Sequence, residues 1–259
     1  MNDVLVLCYH AVSPTWPAPL SVMPDRFRSQ LHTLADRGYR GTTFSDAVTG
    51  RARGRRVAVT FDDGYRSVLE AAAPILDELG WPGTVYVPTD LISDGGPMQW
   101  PGIDEWMGTE HEPELLPLSW DQLRGLDERG WEVGSHTRTH PHLTTLDDDA
   151  LVDELVESRR ACERELGRCA SIAYPYGDVD RRVIAAASEA GYETGAGLPA
   201  GRHVRSLLSW PRVGVYHGDD RRFRHKASRV ARGLQSSAVG GAVRSVAQWR
   251  SRQQQPTVR

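Results

Sequence analysis

Two hydrophobic periods alternate along the chain, and they set out its elements. Val4-Leu5-Val6-Leu7-Cys8-Tyr9 is a continuous apolar run, as in strands buried on both faces, and it ends at His10. From Pro24 the period lengthens, with Phe27, Leu31 and Leu34 on one helical face and Gly38 as the stop. Val57-Ala58-Val59-Thr60-Phe61 is again a strand, and it stops at Asp62, Asp63 and Gly64. Val68, Ala72, Ile75, Leu76 and Leu79 then predict a helix over 65–79, kinked at Pro74. Further strands are expected at 84–87, 131–135, 171–174, 192–196 and 213–216. The helices between them run from a Ser119 cap through Leu126, over 147–166 and over 180–190. In the 147–166 helix the inward positions are Leu151, Leu155, Val156 and Cys162.

Strand and helix alternate at the spacing of βαβ units, with about seven strands in all. That predicts an α/β fold with a parallel, barrel-like sheet over residues 1–218. In such barrels the site lies where strands end and loops begin. His10, Asp62, Asp63, His136, His140 and residues 174–177 all fall at those positions. The stretch 93–117 breaks the rhythm with Gly95-Gly96-Pro97, Trp100 and Trp106. A loop this long in a compact domain is usually functional. Its tryptophans either stack on sugar rings or plug one end of the domain.

Composition narrows the class. With 39% hydrophobic and 25% charged residues the chain is of the globular type, and its net charge of −3 argues against nucleic acid as a partner. The charge is uneven: residues 221–259 carry ten Lys or Arg and no acid, leaving −13 on the rest by difference. Apolar positions Phe223, Ala227, Val230, Ala231 and Leu234 recur at helical intervals among those bases. The stretch 219–259 is therefore a basic tail, helical or partly disordered, that either lies on an anionic membrane surface or folds back on the acidic barrel. Cys8, Cys162 and Cys169 lack metal-type spacing and read as reduced core thiols. No basic n-region with a cleavage site opens the chain and no run is long enough to span a bilayer, so the expected location is cytoplasmic, peripheral to the inner membrane face if the tail binds it.

The strand-end residues are the chemistry-bearing ones. Adjacent carboxylates raise each other's pKa, a cost relieved if one binds a cation and the other accepts protons. His136 and His140 could present two imidazoles to one ion, and with one carboxylate they leave open the positions a catalytic metal needs. Nitrogen and oxygen donors suit zinc, and also cobalt, nickel, manganese or ferrous iron.

Three ordered motifs carry a resemblance. Thr60-Phe61-Asp62-Asp63-Gly64, His136-Thr137-Arg138-Thr139-His140 and Ala173-Tyr174-Pro175-Tyr176-Gly177 resemble the polysaccharide deacetylase family, the NodB-homology or carbohydrate esterase family 4 domain. The likeness spans residues 4–216. It implies a distorted (β/α)7-type barrel and metal-dependent removal of acetyl groups from N-acetylated sugars, whether polysaccharide or lipid-linked glycan. By the same resemblance Asp63, His136 and His140 hold the metal, most simply Zn2+ (with Co2+, Ni2+ or Mn2+ as alternatives). Asp62 is the general base, and the backbone N–H of Tyr176 helps bind the oxyanion.

Two departures follow. Ala173 stands where the family has an arginine that orients the catalytic Asp; Arg212 either substitutes from a later strand or is a surface residue beside Pro211. The family's late general-acid histidine has no match, since His217 lacks its context. Val6-Leu7-Cys8-Tyr9-His10 instead resembles a permuted branch, including deacetylases of poly-N-acetylglucosamine, in which an N-terminal strand-end histidine is the acid. His10 is either that acid or a satisfied core histidine. Competing functions are hydrolysis of another small amide or imide, a non-catalytic carbohydrate-binding relative, and an iron-dependent oxygenase, which the regular β/α alternation disfavours.

Overall fold

Seven parallel strands close on themselves, and the closure is made by one segment used twice. The computed structural model describes residues 3–51, 54–198, 206–219 and 223. The strands are β1 (Asp3–Tyr9), β2 (Ala11–Val12), β3 (Ser21–Val22), β4 (Arg40–Thr42), β5 (Arg55–Phe61), β6 (Thr84–Val87), β7 (Glu132–Ser135), β8 (Ser171–Ala173), β9 (Thr194–Gly197), β10 (Trp210–Pro211) and β11 (Val213–Gly214). Pairing runs β10-β9-β8-β7-β6-β5-β1-β11, all parallel. β10 and β11 are the two halves of one stretch interrupted only by Arg212. The first half pairs with β9 and the second with β1, which shuts the barrel at Arg212. β4 adds a short strand beside the start of β5, and β2 pairs with β3 outside the barrel.

The period of two along each strand sorts side chains into two environments. Leu5, Leu7 and Tyr9 of β1, with Val57, Val59 and Phe61 of β5 and Val85 and Val87 of β6, enter the main core under the helices. Val6, Ala58, Tyr86, Ala173 and Ala196 form a smaller cluster instead. Those residues alternate with the first set, so they line the lumen, and with them come Cys8, Thr60 and Asp62. An apolar run buried on both faces therefore meets oil on one side and the polar interior of the barrel on the other. The lumen is closed at its lower end by Phe44, Ala47 and Val48 of α2 (Phe44–Val48).

Helices follow the strands. α1 (Pro24–Asp36) has Pro24 in its first turn and buries Phe27, Leu31 and Leu34, as its spacing predicts. The helix expected over 65–79 is present but irregular: a wide π-type turn over Val68–Ala72 runs directly into α3 (Ala73–Asp77), and Pro74 sits in the first turn of the α-helical part. Proline lacks an N–H and is tolerated there but not in a helix interior. α4 (Thr89–Asp94) follows the 84–87 strand and runs into the start of the 93–117 stretch, and α5 (Trp120–Glu128) is opened by a reciprocal Ser119–Gln122 capping box. α6 (Asp148–Leu166) is capped by Asp147 and stopped by Gly167 in the left-handed region. Its buried face carries Leu151, Leu155 and Cys162 but not Val156, and includes Glu154 and Ser158. α7 (Arg181–Glu189) is capped by Asp180.

The 93–117 stretch is built rather than open, with helical turns at Asp104–Trp106 and Glu112–Leu115. It packs Met98, Trp100, Ile103 and Leu115 against Trp16, Ala18 and Tyr65 as a third cluster beside the strand ends. Of the tail from 219 onward only Asp219 and Phe223 are described; the rest of the basic stretch lies outside the described residues. Phe223 is 2% exposed and belongs to the main core. Among the described residues no helix is long and apolar enough to cross a membrane.

Candidate active site

The two carboxylates after β5 point to different partners because the chain turns between them. Asp62 continues the inward register, and its N–H donates to the carbonyl of Tyr9 at 3.0 Å. Asp63 has φ +70, a region that non-glycine residues seldom occupy, and Gly64 follows at φ +69. A Cβ at Gly64 would lie 2.8 Å from Val87, so a side chain there is excluded on both counts. Among the described residues the other non-glycine positive φ values are at Thr137, His140 and Tyr176. All four belong to the three motif loops, and backbone strain concentrated this way costs on the order of 1–3 kcal/mol per residue.

Asp63, His136 and His140 come together, each at most 5% exposed. Oδ1 of Asp63 lies 3.3 Å from Nε2 of His136 and 3.3 Å from Nε2 of His140, yet no hydrogen bond satisfies it. Nδ1 of His136 is 2.8 Å from the carbonyl of Ala173. A carbonyl only accepts, so that nitrogen carries a proton and Nε2 is the atom turned toward Asp63. Fixing the tautomer through the far nitrogen is how proteins orient metal-binding imidazoles. His140 stacks on Trp100 at 4.2 Å and meets the edge of Tyr176 at 4.7 Å. An orphaned carboxylate oxygen facing two imidazole nitrogens, all buried, is a donor set that fits a divalent cation. Burial alone would raise the Asp63 pKa, but the two imidazoles and His10 hold it well below the usual range.

Asp62 faces a second set. Arg212, 1% exposed, donates from Nη1 to Oδ1 at 2.6 Å and from Nη2 to Oδ2 at 2.8 Å, a bidentate pair. Nη1 also donates to Thr60 Oγ1 at 3.0 Å, and the guanidinium lies over the ring of Tyr86. Burial pushes Asp62 up, and Arg212 and His136 overcome it to leave the pKa at about 2. The thiol of Cys8 donates to Oδ2 at 3.3 Å; burial keeps that thiol protonated. His10 is buried at the end of β1, with a ring nitrogen within 4.8 Å of both Cys8 Sγ and an Asp62 oxygen. Its Nδ1 has no hydrogen-bond partner among the described residues. Burial lowers its pKa against the pull of Asp63 and Asp62. Cys8, His10 and Asp62 are as close as the first trio but do not suit a cation, because the guanidinium already occupies both oxygens of Asp62.

Sequence-predicted residues thus assemble around two adjacent carboxylates. Arg212 is no surface residue: it reaches Asp62 from the closure segment. Tyr176 lies in the Pro175–Gly177 turn after β8, at φ +59, beside His140. His217 sits on an exposed turn. His142, two residues past His140, pairs with Asp178 and stacks on Tyr176 at 3.9 Å, outside the trio. Cys8 was read only as a core thiol, although counting by two from Val6 would have put it on the lumen face beside Asp62.

A closed parallel barrel bearing a buried Asp-His-His trio, with an arginine-clamped carboxylate next to it, defines a class of barrel hydrolases. A family model described as polysaccharide deacetylase matches residues 49–195. The chain belongs to the polysaccharide deacetylase family. It is 24% identical over 247 residues to the protein YxkH of Bacillus subtilis, covering 93% of this chain and 76% of that one. Among solved structures, the Streptococcus pyogenes deacetylase PplD shares the fold at a TM-score of 0.71 and 24% identity, over 86% of this chain and 97% of that one. IcaB from Ammonifex degensii shares it at 0.67 and 24%, over 88% and 97%.

Proposed function

We propose that this chain is a metal-dependent N-deacetylase that hydrolyses the amide joining an acetyl group to an amino sugar. The observation that carries the reading is the orphaned Asp63 Oδ1, 3.3 Å from two imidazole nitrogens, beside a second carboxylate that an arginine holds in place. Asp63, His136 and His140 would hold the ion; zinc suits this nitrogen and oxygen set, and cobalt, nickel or manganese would serve. Bound there, a divalent ion supplies Lewis acidity and lowers the pKa of water toward neutrality.

The remaining steps belong to side chains. Asp62 is ionised throughout the working pH range and is oriented by Arg212, so it receives the proton of the attacking water. With a pKa near 2 it gives that proton up readily. His10, neutral in the resting site and within 4.8 Å of Asp62, is the stronger base and passes the proton to the departing amine. The N–H of Tyr176 is assigned to the developing oxyanion. A binding-only relative would have no use for a buried carboxylate held by a bidentate arginine, which favours the enzyme.

The substrate assigned is an N-acetylated glycan, polymeric or lipid-linked. The basic tail is proposed to bring the barrel to an anionic membrane surface where lipid-linked sugars lie. Acetate release from a panel of N-acetylglucosamine conjugates, with zinc or with chelator, tests the central reading. Turnover that survives complete chelation removes the metal. Failure on every conjugate alongside hydrolysis of cyclic imides moves the enzyme to another amide.

A further inference from the structure

The loop that delivers His136 and His140 is held from behind by a helix whose sequence reads as ordinary core packing. The inward face of α6 is apolar except at Glu154 and Ser158, one turn apart and both buried. Glu154 is 8% exposed, and its hydrogen bonds run to one place. Oε2 accepts from the backbone N–H of Arg138 at 2.8 Å and of Thr139 at 3.0 Å, and Oε1 accepts from the Thr139 hydroxyl at 2.6 Å. The Arg138 side chain turns away to Asp90 and Asp153. Ser158 meets the same loop from below: Ser135 Oγ donates to Ser158 Oγ at 2.9 Å and accepts from the N–H of Thr137 at 3.0 Å. On the far side the carbonyls of Thr137 and Arg138 accept from the N–H groups of Thr89 and Asp90.

The reason for so many ties is local. Between the two histidines lie three residues, and Thr137 and His140 both have positive φ, at +69 and +64. A free chain would relax out of that shape and carry His140 away from His136. A buried carboxylate with three donors from the loop opposes this, because losing the loop would leave its charge buried and unpaired. We infer that Glu154 is the positioning residue for the metal ligands: by binding the Arg138–Thr139 backbone it pre-sets the two imidazoles for the ion. The inference rests on the proposed metal role of Asp63, His136 and His140.

The test measures zinc affinity by competition with a chromophoric chelator, alongside the thermal midpoint, for the full chain. Glu154→Gln and Glu154→Ala should bind zinc about 10–100-fold more weakly, the usual scale for removing a group that orients a ligand. At saturating zinc they should keep kcat within a few-fold, since Asp62, His10 and Arg212 are untouched. Thr139→Val removes one donor of the three and should weaken zinc several-fold without threatening the fold. Glu132→Gln is the control. Its carboxylate accepts from Ser45 and Ser171 at the other end of β7, so it should lower the thermal midpoint and leave zinc affinity alone. Glu154 variants and Thr139→Val that bind zinc within twofold of the wild type overturn the inference, as does Glu132→Gln weakening zinc equally. A wild-type protein that binds no zinc instead overturns the metal reading beneath it.

Discussion

Arg212 and Asp62 form a buried pair whose two halves lie 150 residues apart and meet directly. Removing one partner of such a buried pair leaves an uncompensated charge and costs about 3–5 kcal/mol. Arg212→Gln should therefore lower the urea midpoint strongly and reduce acetate release, because Asp62 loses its orientation as well as its partner. The pair also sets a pH dependence. The carboxyl is depressed from an ordinary 3.8 to about 2, so the folded state gains about 2 kcal/mol that is present above pH 4 and lost as pH falls toward 2. Urea titrations of metal-free protein across that window should show the loss in the wild type; in Arg212→Gln the Asp62 carboxyl titrates higher and the step leaves that window. At His10 the diagnostic is the leaving group. His10→Ala should keep zinc and lower kcat on an amide by about 10²–10⁴-fold, while an activated ester, which departs without a proton, is largely spared. Equal losses on both substrates would take the proton relay away from His10.

The 93–117 element decides how His140 is seated. Trp100 lies face-on to His140 at 4.2 Å and is itself buried among Met98, Ile103 and Leu115. Trp106 meets Trp16 edge-to-face at 6.1 Å. Trp100 therefore packs into the domain and forms a wall of the Asp63, His136 and His140 trio, while Trp106 is only partly buried against Trp16. The insertion is tied down near its exit. Its exit pairs with the Asp-Asp-Gly turn, Leu118 N–H donating to the Gly64 carbonyl at 2.8 Å, and Glu114 accepts from the hydroxyls of Ser13 and Thr15. Trp100→Ala should cost about 3–5 kcal/mol as a buried aromatic truncation, and it should also weaken zinc because His140 loses its support. Trp100→Phe keeps a ring and should recover most of the zinc affinity. Calorimetry with chelator competition separates the two losses, and unchanged zinc affinity in the alanine variant would reduce Trp100 to packing alone.

At the scale of the molecule the closure segment is followed closely by Phe223, which anchors the start of the tail in the main core. Phe223→Ala should lower the thermal midpoint by roughly 10 °C in a domain of this size. A chain ended at residue 218 should show the same loss, while one ended at 224 should not. The rest of the basic stretch is proposed to act on membranes rather than on stability. Sedimentation with anionic liposomes checks it: ending the chain at 224 should abolish binding, and undiminished binding would refute the membrane role.

Much of this could be read before any coordinates. Val57–Phe61 followed by Asp62, Asp63 and Gly64 reads as a strand ending in chemistry because β-branched runs and glycine turns are local preferences. The seven-strand count, the strand-end positions of His10, His136 and His140, the Ser119 cap and the helix starts near 147 and 180 are local in the same way. Other features had no local signal. Arg212 beside Pro211 is indistinguishable from a surface arginine until barrel closure carries it back to β1 and over Asp62. Glu154 looks like one more acid on a charged helix, and only the packing of α6 under the 136–140 loop buries it. Val156 fits the helical period as well as its neighbours and was misplaced, because period alone does not fix which 100° of a helix meets the barrel. Local pattern determined which residues carry the chemistry; long-range closure decided which of them touch.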